Sequence, residues 1–502
     1  MKKTRTVEMR IFLPSLILTS LAIAFMLLVP TQSKVVIDGI FYFLTYELGW
    51  IYLITIPVLL IFTLWIIFSK YGDILLGSPG EKKEYSDWSW MAMIFAAGMA
   101  IAVVLLGFIE PINLLSATPS TMESMSDEAY LWAHMCGQFF EGPAAWGVYG
   151  PASAAVAYTI YVKKVDVLRF SGACEPVLGD QTNGFWGTVI DVLVMLGMIG
   201  GVSTSLGMGT PAVTAMITHM TGIPQSLMLT LFVLFVWALL FGTSVFLGLD
   251  EGIKRLSDIN LYIMFILMIV VFLSGSISDF FYLELNSIGM MIDNFGELML
   301  GSGIFGQSTF TQDWTIFYWA WWLAFMPMIA LFGARVSRGR TIRQMLLGEL
   351  IYGGGGSLLV FGLFGSYSIY LQRNGILDLV TINAEQGREY ALIAILETLP
   401  CPNIMLILVL ILMFVFLATT IDSTAYTLAS VCTPHLADNE QPIRANRMIW
   451  ALVLLLFSLG LVLIGGLETI QTASILLGFP LIFISIIIMM SVVKMFKRHK
   501  FK

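Results

Sequence analysis

Twelve stretches of this chain stay apolar for about 20 residues, the length a helix needs to cross a hydrocarbon layer about 30 Å thick. They fall at 11–31, 49–69, 88–112, 132–161, 186–217, 225–248, 259–280, 313–335, 345–371, 402–432, 447–466 and 472–494. Helices that are apolar all round have to be surrounded by lipid or by one another. The chain is therefore expected to be an all-α polytopic membrane protein with twelve transmembrane helices, whose short loops leave no room for a separate soluble domain. Composition agrees, since 12% of its 502 residues are charged against about 25% in soluble proteins. The first run is long enough to span and lacks a small-residue cleavage site, so it is read as a retained helix and not a signal peptide.

Charge sets the orientation, because cytoplasmic loops keep Lys and Arg. With the N-terminus inside, 23 of the 26 basic residues lie in cytoplasmic tracts, and only Lys34, Arg373 and Arg388 lie outside. Both termini are thus expected in the cytoplasm, with the chain in the cytoplasmic (plasma) membrane of a prokaryote. The stretch 281–300 is amphipathic and has no basic residue, which marks an interfacial helix outside the membrane. A net charge of −7, with basic residues only in short tracts, excludes a nucleic-acid binder. Cys136, Cys174, Cys401 and Cys432 form no CxxC pair and the four histidines show no ligand spacing, so no disulfide scaffold, metal centre or cofactor other than a coupling ion is expected.

Function must then lie inside the bundle. Small residues or helix breakers occur at mid-span in AAGMAIA (96–102), GMIGGVSTSLGMG (197–209) and TTIDST (419–424). Each segment alone reads more simply as close helix packing; together with polar residues at the same depth they point to a transporter, in which unwound helix lines a binding cavity. Trp322 and Phe325 share one face of the eighth span, and Trp146 and Tyr149 one face of the fourth. An aromatic girdle at the headgroup level would look similar, but rings on two helices can also cage a cation, each contributing about 0.5–2 kcal/mol. Glu141 lies in the same apolar segment, where a carboxylate costs about 2.5–3.5 kcal/mol and needs a proton, a partner or water. Glu110 and Asp422 raise the same question and are read as structural groups at helix junctions. Thr419 and Thr420 offer hydroxyls beside a possible break in the tenth span, although bonding back to the preceding turn is the commoner fate of such threonines.

The runs WTIFYWAWW (314–322) and ARVSRGRTIRQ (334–344) resemble the signature of the betaine/carnitine/choline transporter family. GMAIA with GFIEP, WGVY, TSLGMG, LDEGIKRLSDIN and ATTIDS support the likeness, in order along the chain. The resemblance implies two amino-terminal helices (1–87), then two inverted five-helix repeats of the LeuT type (88–280 and 313–502) separated by an external helix and linker (281–312), and a homotrimer. It implies an aromatic substrate box at Trp146, Tyr149, Trp322 and Phe325, with Glu141 where the family usually places the first box tryptophan. An indole replaced by a carboxylate points to choline-like or tertiary-amine cations over zwitterionic betaines. In the third span Ala100 and Ala102 replace family glycines, which suits a compact headgroup. The family's sodium site, built from span 3 and span 10 oxygens, corresponds to Ala96, Met99, Phe416, Thr419 and Thr420, and oxygen ligands suit a hard cation. The positions at which sodium-independent exchangers carry arginine and methionine are Asn260 and Ile329. Sodium symport is expected, with exchange of the carnitine/butyrobetaine kind as the alternative. An early end after the last span fits nutrient uptake better than osmotic regulation. Arg335, Arg338, Arg340 and Arg343 are expected either to bind lipid headgroups or to anchor their helix. An intramembrane enzyme would call for paired catalytic groups such as HExxH or GxSxG, which the sequence does not contain, and a channel for a repeated filter motif.

Overall fold

The computed structural model describes residues 7–98, 101–118, 122–165, 169–247, 250–301, 309–434, 441–465 and 467–500, with side chains for all except 96–98, 101, 102, 244–247, 250–258, 467 and 468. Among these residues the one extended pairing is an isolated antiparallel bridge between Leu75 and Thr341; the regular structure is otherwise helical. The principal helices are α1 (Met9–Leu28), α2 (Gly49–Phe68), α3 (Asp87–Gly98), α4 (Ile101–Leu115), α5 (Asp127–Glu141), α6 (Gly150–Ala157), α7 (Phe185–Thr221), α8 (Leu227–Leu247), α9 (Asp250–Ser274), α10 (Ile277–Asp293), α11 (Ile316–Val336), α12 (Gly355–Arg373), α13 (Pro402–Val431), α14 (Arg444–Ile464) and α15 (Leu467–Arg498).

Among the described residues eight helices are long and apolar enough to cross a membrane, or nine if α9 and α10, which meet at 105°, count as one bent span. Three of the other four expected spans are interrupted, bent or short, and one lies partly outside the described residues. The third is described as α3 and α4, with Met99 and Ala100 outside the described residues. The sixth is α8, whose fully described part, Leu227–Thr243, falls short of spanning length. The fourth is interrupted at Gly142, because Pro143 has no N–H to donate and bars helical geometry at the residue before it. Gly142 accordingly adopts φ −82° and ψ −167°, and a new turn starts at Pro143. The seventh ends at Ser274, earlier than the hydropathy suggests, where Ser276 caps the start of α10 through the Asp279 N–H.

Two of the mid-span segments rich in small residues or helix breakers, 197–209 and 419–424, lie in unbroken helix. α7 runs unbroken for 37 residues through the centre of the bundle, against α1, α11, α13, α14 and α15. Its glycines serve close packing: Gly200 faces Leu477 and the Ala473 carbonyl of α15, and Gly201 faces Ala324 and Phe325 of α11. α13 is likewise continuous for 30 residues. Its Thr419 and Thr420 hydroxyls donate back to the Phe416 carbonyl, at 3.0 and 2.8 Å, which satisfies them without opening the helix.

At the basic end of α11 the loop 335–343 is clamped onto residues 67–90. Backbone bonds join Leu76 to Arg340 and Gly339, and Ile342 to Ile74. Arg340 donates to Asp87 at 2.5 Å and lies 3.9 Å over the Trp90 ring; Arg338 donates to Glu81 at 2.6 Å. Arg343 pairs with Asp73, and Arg335 donates to the Tyr426 hydroxyl at 2.7 Å. Of the two roles expected for these arginines, anchoring is the one these contacts perform. Gly339, at φ +77°, is required where the strands of the clamp meet, because a Cβ would strike the Lys82 carbonyl.

Candidate functional site

The break at Gly142 leaves the last turn of α5 with carbonyls that have no helical partner. Trp322 of α11 takes one of them: its indole N–H donates to the Phe140 carbonyl at 2.8 Å. That bond fixes the indole plane, and Trp146 and Tyr149, in the turns that follow the break, close around it. Ring centroids lie 5.7 Å apart for Trp146 and Tyr149, 5.4 Å for Tyr149 and Trp322, and 6.0 Å for Trp146 and Trp322, at interplanar angles of 78°, 46° and 55°. All three are buried. The three rings pack tilted and edge-on against one another as a buried cluster of π surface, the kind of surface that attracts a cation.

Phe325 is placed differently. Its ring pairs with Trp321 at 6.1 Å and lies against Gly201 of α7; among the described residues it forms no ring pair with the other three. Glu141 is the last residue of α5, 5% exposed, and among the described residues no hydrogen bond or ion pair reaches its carboxylate. Glu110 is a bridge between helices instead. It accepts the Tyr318 hydroxyl proton from α11, while the Tyr318 ring stacks on Phe140 at 4.7 Å and 2°. Asp422 pairs with Arg447 of α14 at 2.8 Å. Both fit the helix-junction roles expected of them.

One contributor lies outside the motifs read from the sequence. The wide π-helical turn Glu349–Gly354 that precedes α12 lays Gly353 flat against the Trp146 indole and Gly354 against the Pro143 backbone. Both contacts need a bare backbone, and the signal was available in the four-glycine run 353–356.

Of the five expected cation ligands, Phe416, Thr419 and Thr420 share one turn of α13. Ala96 lies in α3 without a described side chain, and Met99 lies outside the described residues. Asn260 of α9 faces α13, donating its side-chain N–H to the Leu412 carbonyl at 3.1 Å and leaving its buried Oδ1 unpartnered. Among the described residues no cluster of three His, Cys, Asp or Glu side chains could hold a metal ion.

Membrane-length apolar helices packed about a buried three-ring cluster define a multi-pass integral membrane protein. A family model described as BCCT, betaine/carnitine/choline family transporter, matches residues 10–501, essentially the whole chain. The chain belongs to that family, whose members are secondary transporters of small quaternary ammonium compounds.

Proposed function

We propose that this protein imports a methylated ammonium or amine compound by sodium symport, alternating access to one internal site. The observation that carries the reading is the three-ring cluster of Trp146, Tyr149 and Trp322, built from two helices inside the bundle. Phe325, beside Trp321 and Gly201 on the α7 side, is proposed as an outer fourth ring of the site. Twelve spans arranged as inverted five-helix repeats, a homotrimer and cytoplasmic termini go with this reading. The sodium ion takes oxygens from Ala96, Met99, Phe416, Thr419 and Thr420; a hydroxyl that donates to a carbonyl keeps its lone pairs for a cation. The neutral Asn260, whose N–H donates to α13 and whose buried oxygen is spare, favours an ion over the fixed positive charge of an exchanger.

Glu141 sets the substrate class. A buried carboxylate without a protein partner attracts a cation lacking its own anion and repels the carboxylate of a betaine. Purified protein in proteoliposomes, offered labelled choline, betaine, carnitine and trimethylamine with and without an inward sodium gradient, tests both points. Accumulation of choline or the amine that requires sodium supports the reading, and sodium-independent counterflow replaces it with exchange. Glu141→Gln should weaken binding of the cation more than that of betaine; an unchanged ratio removes Glu141 from the site.

A further inference from the structure

Glu349 is a buried acid that the pocket does not use. It opens the wide turn before α12 and is 1% exposed, and neither of its carboxyl oxygens has a hydrogen-bond partner. Its walls come from two other helices. Gly333 of α11 lies so close that a Cβ there would overlap Oε1. Ser153 of α6 presents the neighbouring hydroxyl, which faces the carboxyl without the geometry of a formed hydrogen bond.

The position is as informative as the burial. Gly353, which touches the Trp146 indole, is one helical turn beyond Glu349, and Ser153 is one turn beyond Tyr149. The carboxyl thus sits about one turn, roughly 6 Å of helix, from two of the three rings, on the side of the basic 335–343 loop. Other ionisable groups on the surrounding elements are engaged elsewhere. Asp87 pairs with Lys83 and Arg340, Arg343 with Asp73, and Arg335 with Tyr426. Among the described residues the Tyr149 hydroxyl is a further ionisable group near enough to interact with it.

An ionised carboxylate sealed among apolar helices, with no cation and no formed hydrogen bond, is costly, whereas the neutral acid keeps one O–H that Ser153 is placed to accept. The seal is a packing contact against bare backbone at Gly333, so any motion that parts α11 from the 349–354 turn admits water, and with it the charged form. We propose that Glu349 is a proton-binding site beneath the aromatic pocket: it holds a proton while α6, α11 and the 349–354 turn are closed over it, and loses that proton to the solvent on the 335–343 side when they part. The proton comes from water on that side and returns to it. The proposal rests on the chain being a transporter, and is independent of sodium coupling and of the substrate's identity.

The test is choline counterflow in proteoliposomes with saturating sodium on both sides, while the pH on the side of the 335–343 loop is varied from about 5.5 to about 8.5. Wild-type counterflow should fall toward high pH, by about tenfold per unit once the carboxyl ionises. Glu349→Gln, a permanent stand-in for the neutral acid, should run at the acid plateau throughout, and Glu349→Asp should keep a pH dependence. A flat wild-type profile, or a Gln variant with the wild-type profile, overturns the proposal. A second measurement needs no variant. Dicyclohexylcarbodiimide reacts with protonated carboxyls in apolar surroundings, so peptide mapping of labelled wild-type protein should find adduct on Glu349 that declines as pH rises. Labelling absent or unchanged across that range also overturns it. If choline gives no counterflow at all, it is the choline-type substrate reading that fails, and the labelling result still decides Glu349.

Discussion

Trp322 is held by its polar edge and presented by its face. With the indole N–H spent on the Phe140 carbonyl, the ring has only its π surface left to offer, so in the proposed site it would read positive charge and shape and not hydrogen-bonding pattern. Trp322→Ala should raise the dissociation constant of the ammonium substrate about tenfold, the upper range of one desolvated cation–π contact. Trp322→Phe, which keeps a ring but frees the carbonyl, should fall between. Isothermal titration on purified protein reads both. Gly353 has a subtler part, since it adds no chemistry and yet decides where Trp146 sits. Gly353→Ala drives a methyl into the indole, and overpacking of this kind costs about 1–3 kcal/mol. Substrate affinity should drop by about tenfold or more while the protein still elutes as a single species on size exclusion; unchanged affinity would show that Trp146 can move aside freely.

Between elements, the contacts that fix the bundle's ends differ in worth. Arg447 is 3% exposed and Asp422 16%, whereas the Lys34–Asp38 pair is 47% and 45% exposed. Removing one partner from a well-buried pair costs about 3–5 kcal/mol and an exposed pair contributes about 0–1. Asp422→Asn should therefore cost about 3 kcal/mol of stability, read as a clearly lower thermal midpoint in detergent, and Asp38→Asn hardly anything. The 335–343 clamp answers to pH. The Ser78 N–H and the Arg338 guanidinium hold the Glu81 carboxyl below its ordinary range. A depressed folded value means that the contribution is complete above the unfolded value of about 4.3 and is lost as pH falls through the lower folded one. Hydrogen exchange of the 74–86 backbone should stay slow from pH 8 to about 5 and quicken below about 4. Much of this architecture was legible in the sequence: the spacing put Trp146 with Tyr149 and Trp322 with Phe325 on two helix faces, of which the structure brings the first three rings together and not Phe325, and the motif order pointed to the family. The location of the breaks was not. Gly200, Gly201 and the 419–424 run could mark either unwound helix or tight packing, and which one holds depends on the helix opposite, information a local window lacks. The break that did form, at Gly142 with Pro143, was signalled by a dipeptide whose steric rule is local.

Over the whole molecule the long helix α7 forms an axis with α1, α13, α14 and α15 around it, while the pocket is assembled from α5, the turns after it, α11 and the 349–354 turn. These pocket elements are tied to one another: Trp322 to Phe140, Tyr318 to Glu110, Gly353 to Trp146 and Gly354 to Pro143. In the proposed transport cycle the headgroup would be gripped by one block and not by two jaws. If that block tilts against α7 and α15, the three rings travel with their cargo and hold it alike facing either side of the membrane. Directionality would then come from the opposite wall, where the Thr419–Thr420 turn of α13 lies. A substrate that fills the rings perfectly but ignores that wall would be bound well from both sides and carried downhill only.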